Sequence, residues 1–131
     1  MRRIFSPTIV LITLFALTGI THATLIDMED GTIYDTDLQL TWLKDAGMGG
    51  LRNWYDALNW ADNLVFAGFD NWRLPIAVTN PEGQNITTYN MTESELGHLY
   101  YTGLGNAPAL GGEAPPLNPA PFINLEQRAY W

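Results

Sequence analysis

The chain has no cysteine, two histidines and six lysines and arginines in 131 residues. Without thiols there is no disulfide, no thiolate nucleophile and no cysteine-ligated metal, so stability rests on packing. Fourteen acids against six bases give a formal charge of −8, a surface that repels nucleic acid and anionic lipid headgroups. No stretch interleaves basic and aromatic residues as a phosphate-tracking groove requires, so no nucleic-acid partner is expected. Beyond the N-terminus no apolar run approaches the roughly 20 residues of a bilayer span.

What is present begins with MRRIFSPTIVLITLFALTGITHA. Arg2 and Arg3, an apolar stretch from Ile9 to Leu17 and the small-residue end Thr21-His22-Ala23 form the three parts of a secretory signal. Cleavage after Ala23 is expected. A retained anchor is the alternative, but the apolar stretch is short and Thr8, Thr13 and Thr18 interrupt it. Residues 24–131 then form one domain in a secreted, periplasmic or cell-surface protein. Loss of Arg2 and Arg3 takes its formal charge from −8 to −10, and loss of His22 leaves His98 as its one histidine.

From Thr24 to Asp45 the pattern is that of strands. Asp30-Gly31 is a two-residue turn signal between Leu25-Ile26 and Ile33-Tyr34, and Leu38, Leu40 and Trp42 alternate with Gln39 and Thr41 on one expected face. Asn53 to Ala67 changes period. Trp54, Ala57, Leu58, Ala61, Leu64 and Val65 recur at helical spacing, with Asn53 as expected N-cap and Gly68 as left-handed C-cap. Pro75 biases Leu74 to an extended conformation, which predicts a strand-like segment over Phe69–Pro75. Residues 78–91 read as a polar loop insertion. Within it and at its end, Asn85-Ile86-Thr87 and Asn90-Met91-Thr92 fit the glycosylation sequon weakly. Thr92-Glu93-Ser94-Glu95 reads as a capping box before a second helix carrying Leu96, Leu99, Tyr100 and Gly103. Residues 106–121, NAPALGGEAPPLNPAP, predict an irregular second insertion.

Four features invite chemistry. Asp27, Asp30, Asp35 and Asp37 crowd one segment and are calcium candidates, because Ca²⁺ asks only for oxygens. They lack EF-hand spacing, and aspartates near a hairpin also form turns. Arg73, between Trp72 and Leu74, is expected to be partly buried, either clamping an anionic ligand or tied to an internal acid such as Asp70 or Asp45. His98 has no serine or cysteine signature around it, and Glu93 and Glu95 sit where acids favour a helix start. Among the aromatics, Trp42, Trp54 and Trp72 fall on expected core faces, leaving Trp60, Tyr89, Tyr100 and Tyr101 for exposed contacts.

The order of DGTIYDTDLQLTWLKDA, NWYDALNWADNLVFAGFDNWRLP and ESELGHLYYTGLGN resembles the Lcl C-terminal-like domain of bacterial surface proteins. Gly68, Trp72, Arg73, Leu74 and Pro75 match its central signature, and TWLKDA and GHLYY resemble the exported subgroup that often carries a PEP-CTERM sorting signal. The resemblance implies an α+β, C-type-lectin-like fold, two helices on a small antiparallel sheet. It also implies a non-catalytic binding module for an envelope, matrix or glycan ligand. It transfers no ligand residue. Relatives of this type continue past a Tyr-Trp step into further strands, so the resemblance implies a truncated copy ending at Tyr130-Trp131. Two other functions stay open, a hydrolase using carboxylates around Asp35, Asp37 or Glu95 and a structural cell-surface component.

Overall fold

The computed structural model describes residues 24–84, 86, 91–108 and 115–126. The expected signal segment, Tyr89, both sequon asparagines and the closing Tyr130-Trp131 lie outside these residues. Among the described residues no helix is long and apolar enough to cross a membrane.

Three strands form an antiparallel meander, β1 (Leu25–Asp27), β2 (Thr32–Asp35) and β3 (Leu40–Leu43), in spatial order β1-β2-β3. Leu25 pairs with Asp35 and Asp27 with Ile33; Thr32 pairs with Leu43 and Asp35 with Leu40. The central strand is the most buried, with Thr32, Ile33 and Asp35 at 1 % exposure or less. The first connection is longer than the two-residue turn expected. Met28 N donates to Thr32 O at 3.1 Å, and the chain reverses through Glu29 at φ 60° and Gly31 at φ 89°. Asp30 shapes the reversal by accepting from Thr32 N at 3.0 Å and Thr32 Oγ1 at 2.6 Å. Only glycine suits position 31 on two counts, since a Cβ there would meet the Phe66 ring at 2.8 Å in a left-handed backbone.

The second connection corrects the expected Leu38–Trp42 strand. Asp35 Oδ1 accepts from Asp37 N at 3.0 Å and Leu38 N at 3.1 Å, folding Leu38 into a turn that closes at Gln39, φ 54°. Side-chain capping of backbone donors thus overrides the alternation of apolar residues.

Helix α1 spans Trp54–Asp62 and is capped as expected, with Asn53 Oδ1 accepting from Asp56 N at 3.0 Å. It stops at Asn63, short of Ala67. The reason lies just downstream, where Phe66 and Phe69 exchange both backbone hydrogen bonds (3.0 and 2.9 Å) across Ala67 at φ 50° and Gly68 at φ 81°. Gly68 is therefore the second residue of a tight hairpin turn with both central φ values positive, not the helix cap. The helix buries Ala57 and Ala61 while Trp54 is 44 % exposed, which corrects the placement of Trp54 in the core.

Helix α2 (Glu95–Gly97) begins at Ser94, whose Oγ accepts from Gly97 N at 3.0 Å; the cap is Ser94, not Thr92. After one turn it continues as a π-helical run, His98–Gly103, closed by Leu104 N donating to Leu99 O at 2.8 Å. Leu99 within this run and Leu104 just beyond it are both buried. These two with Ile33 and Phe122 form the buried core, against which Leu25, Trp42 and Leu125 pack.

The stem of the 106–121 insertion is pinned by two asparagines. Asn106 Oδ1 accepts from Asn118 N at 2.7 Å, and Asn118 Nδ2 donates to Leu104 O at 2.8 Å. The chain then returns to the sheet end, where Ile123 N donates to Lys44 O and Ala46 N to Ile123 O, both at 3.0 Å, a parallel bridge at Asp45. The result is an α+β arrangement of a small antiparallel sheet and two helical segments.

Candidate functional site

Beside β3 lies an open cleft of about 470 Å³. Its walls are aromatic: Trp42 from β3, Trp60 from α1, Phe69 from the hairpin end, Trp72 from the segment after it, and Phe122 from the returning C-terminal segment. Phe69 meets the Trp72 ring edge-on at 6.0 Å. Arg52, Asp45, Asn71 and the Arg73–Glu95 pair supply polar groups. A mainly apolar hollow of this size with a few polar side chains has the make-up of a ligand site. Trp72 Nε1 is buried without an acceptor among the described residues, and a buried indole N–H normally has one.

Arg73 is tied internally, as one reading of the sequence expected, but its partner is neither Asp70 nor Asp45. Nη1 donates to Glu95 Oε2 at 2.8 Å and Nη2 to Glu95 Oε1 at 2.6 Å, a two-pronged pair. Glu95 Oε2 also accepts from Ile76 N at 2.7 Å, so one carboxylate fastens the extended segment to the start of α2. The arginine side chain remains 45 % exposed and the glutamate 17 %. The Arg73 hydrogen bonds hold the Glu95 carboxyl below its ordinary value, with the Ile76 N–H adding to the effect against burial. Glu95 in turn raises the Arg73 value.

A depressed carboxyl stabilises the fold above its unfolded value, and that contribution is lost as pH falls through the folded one. Melting temperature should therefore decline as pH drops below the ordinary glutamate value of 4.5. Glu95→Gln should flatten that part of the profile. An unchanged acid slope in the variant would show that the pair contributes nothing to stability.

The four clustered aspartates are spent separately. Asp27 bonds Lys44, which lowers its pKa, Asp30 holds Thr32, and Asp35 caps its turn and accepts from Trp42 Nε1 at 3.4 Å. Asp37 Oδ2 stands 3.0 Å from His98 Nε2, close but outside hydrogen-bonding geometry. Among the described residues no three His, Asp or Glu side chains converge on a point where a metal ion would sit. Melting in millimolar Ca²⁺ and in chelator should accordingly coincide; a rise with Ca²⁺ would reveal a site by linkage.

The structure brings Trp72, Arg73, Leu74 and Pro75 together at the cleft, whereas Gly68 shapes the hairpin before it. Trp60 lines the cleft as an accessible aromatic; Tyr100 and Tyr101 stack edge-on at 4.9 Å, half-buried and outside it. Sequence reasoning missed Arg52. Its guanidinium lies 5.6 Å from the Trp60 ring centre and its Nε donates to Gly49 O. A scarce cation just before a helix cap was the one available signal. Comparison with family models, with curated proteins and with solved structures finds no match to this chain in any of the three.

Proposed function

We propose that the chain is an exported, non-catalytic binding module of the Lcl C-terminal-like, C-type-lectin-like kind, taking a ligand of the bacterial envelope or matrix, glycans included, in the cleft beside β3. The observation that carries this reading is the cleft itself, three indoles and two phenylalanines around 470 Å³ with few polar groups. Flat aromatic faces suit both sugar C–H faces and apolar side chains. A hydrolase finds less support. Glu95 is held ionised by Arg73, the wrong state for a general acid at neutral pH. Asp35 is fully buried within its own turn, and His98 Nε2 makes no hydrogen bond to a hydroxyl among the described residues.

The test is a titration of the secreted chain against arrayed bacterial glycans and matrix peptides, followed by indole fluorescence and by release of products. Saturable quenching without turnover, weakened in Trp60→Ala at unchanged melting temperature, is the expected result. Product release would overturn it in favour of an enzyme, and no quenching by any probe would leave only a structural surface component.

A further inference from the structure

We propose that the ligand of this cleft is an extended peptide with basic flanks, which adds itself as a strand along the free edge of β3. The inference rests on the binding-module reading above and narrows its ligand to one class.

The lining carries the argument. Gln39, Leu40, Thr41, Trp42 and Leu43, five consecutive residues, all border the cleft, while none of β1 or β2 does. Side chains along a strand alternate between faces. A hollow touched by five successive residues therefore lies against the strand's edge, not over one face of the sheet. Among the described residues β3 is an edge strand, paired with β2 alone, the Asp45–Ile123 bridge lying just past its end. In an antiparallel ladder alternate residues turn their N–H and C=O away from the partner. Those groups of Leu40–Leu43 bond no other described segment, backbone or side chain.

Asn71, Trp72, Arg73, Leu74 and Pro75 also border the cleft consecutively. They run without turn, bend or strand pairing. The cleft is thus bordered by two lengths of backbone, one of them a ready template for strand addition. A sugar or a compact apolar molecule would use the indoles and leave that template unmatched; a peptide backbone matches it. Its alternate side chains would meet the aromatic walls, and its carbonyls include acceptors of the kind Trp72 Nε1 lacks.

Charge selects the flanks. Asp37 precedes β3 and Asp45 borders the cleft just after it, Lys44 is occupied by Asp27 and Arg73 by Glu95, and Arg52, the other cation of the lining, sits against the Trp60 ring. The whole chain carries −8. A peptide with lysine or arginine at both ends is attracted, and a second copy of this acidic chain is repelled.

The probe is a capped heptapeptide of alternating valine and threonine with lysine at both ends, compared with the same peptide N-methylated at every residue and with a glutamate-ended version. The full secreted chain is titrated by indole fluorescence, and amide exchange is followed at Leu40–Leu43. The lysine peptide should bind and slow exchange at those amides, and added salt should weaken it. N-methylation removes the strand's donors and should weaken binding about tenfold or more. Glutamate ends should weaken it as well. Equal affinity of the N-methylated peptide would overturn strand addition, and equal affinity of the glutamate-ended one would overturn the charge argument. Slow exchange at Leu40–Leu43 without peptide, with a dimer in light scattering, would give the edge to a second copy and overturn the proposal. Quenching by an arrayed glycan alone would overturn it too, yet leave the binding-module reading standing, whereas quenching by neither would remove both.

Discussion

Asp35→Ala should cost about 3 kcal/mol and lower the melting temperature by roughly 10 to 20 °C. The carboxylate has no exposed surface, yet it serves three donors: Asp37 N and Leu38 N through Oδ1, and Trp42 Nε1 through Oδ2. Alanine removes the acceptor and leaves two backbone N–H groups of a tight turn without it. Asp35 is fully buried, so water cannot take the place of its carboxylate without opening the turn. The turn also sets where β3 begins, through the Asp35–Leu40 pairing. Loosening it therefore reaches Trp42 and the cleft wall. Asp35→Asn keeps one carbonyl oxygen for the turn and should recover most of the loss. If alanine and asparagine variants melt alike, the turn bonds are not what Asp35 contributes.

Much of the fold was legible because its signals were local. Alternation and turn residues announced the meander, and Asn53 with Asp56 announced α1, since each depends on neighbours within a few residues. The misreadings share a physical cause, competition that a periodic pattern does not register. Leu38 has the parity of a strand residue, but Asp35 captures its N–H. Gly68 has the φ of a helix cap, but Phe66 and Phe69 use it for a hairpin. Trp54 has helical spacing, yet the buried contacts of α1 go to Ala57 and Ala61.

The site was half legible. Trp72 to Pro75 stood out by composition, and an internal tie for Arg73 followed from the excess of acids. That the tie is Glu95, 22 residues on, is a tertiary fact. No spacing rule selects Glu95 over Asp70. Exposure also changes the expected size of its effect. With Arg73 near half exposed, the pair is worth less than a buried one, because water screens it. The edge of β3 became visible only once strand order was known, since whether a strand is central or marginal is a property of the sheet.

Ile33→Ala should be the most damaging single truncation, at about 3 to 4 kcal/mol. Ile33 lies in the central strand with 0 % exposure, and among the described residues it packs in a cluster of four buried side chains with Leu99, Leu104 and Phe122. Those four come from β2, the π-helical run, the residue closing it and the returning C-terminal segment. Ile33 is thus the sheet's own contribution to a contact that joins three distant parts of the chain. Removing most of its side chain opens a cavity at that junction. Rigid hydrogen bonding of β2 on both sides hinders collapse into the space, and the cost grows with whatever cavity remains. Native domains hold only about 5 to 15 kcal/mol in reserve, so a loss of this size in a small core threatens cooperative unfolding itself. Leu51→Ala deletes an apolar side chain that is 86 % exposed and should stay within about 0.5 kcal/mol of the parent. Thermal melts by far-ultraviolet circular dichroism separate the two cases. An Ile33→Ala melt that overlays the parent, or a Leu51→Ala melt that falls as far, would show that the core does not sit where the buried side chains place it.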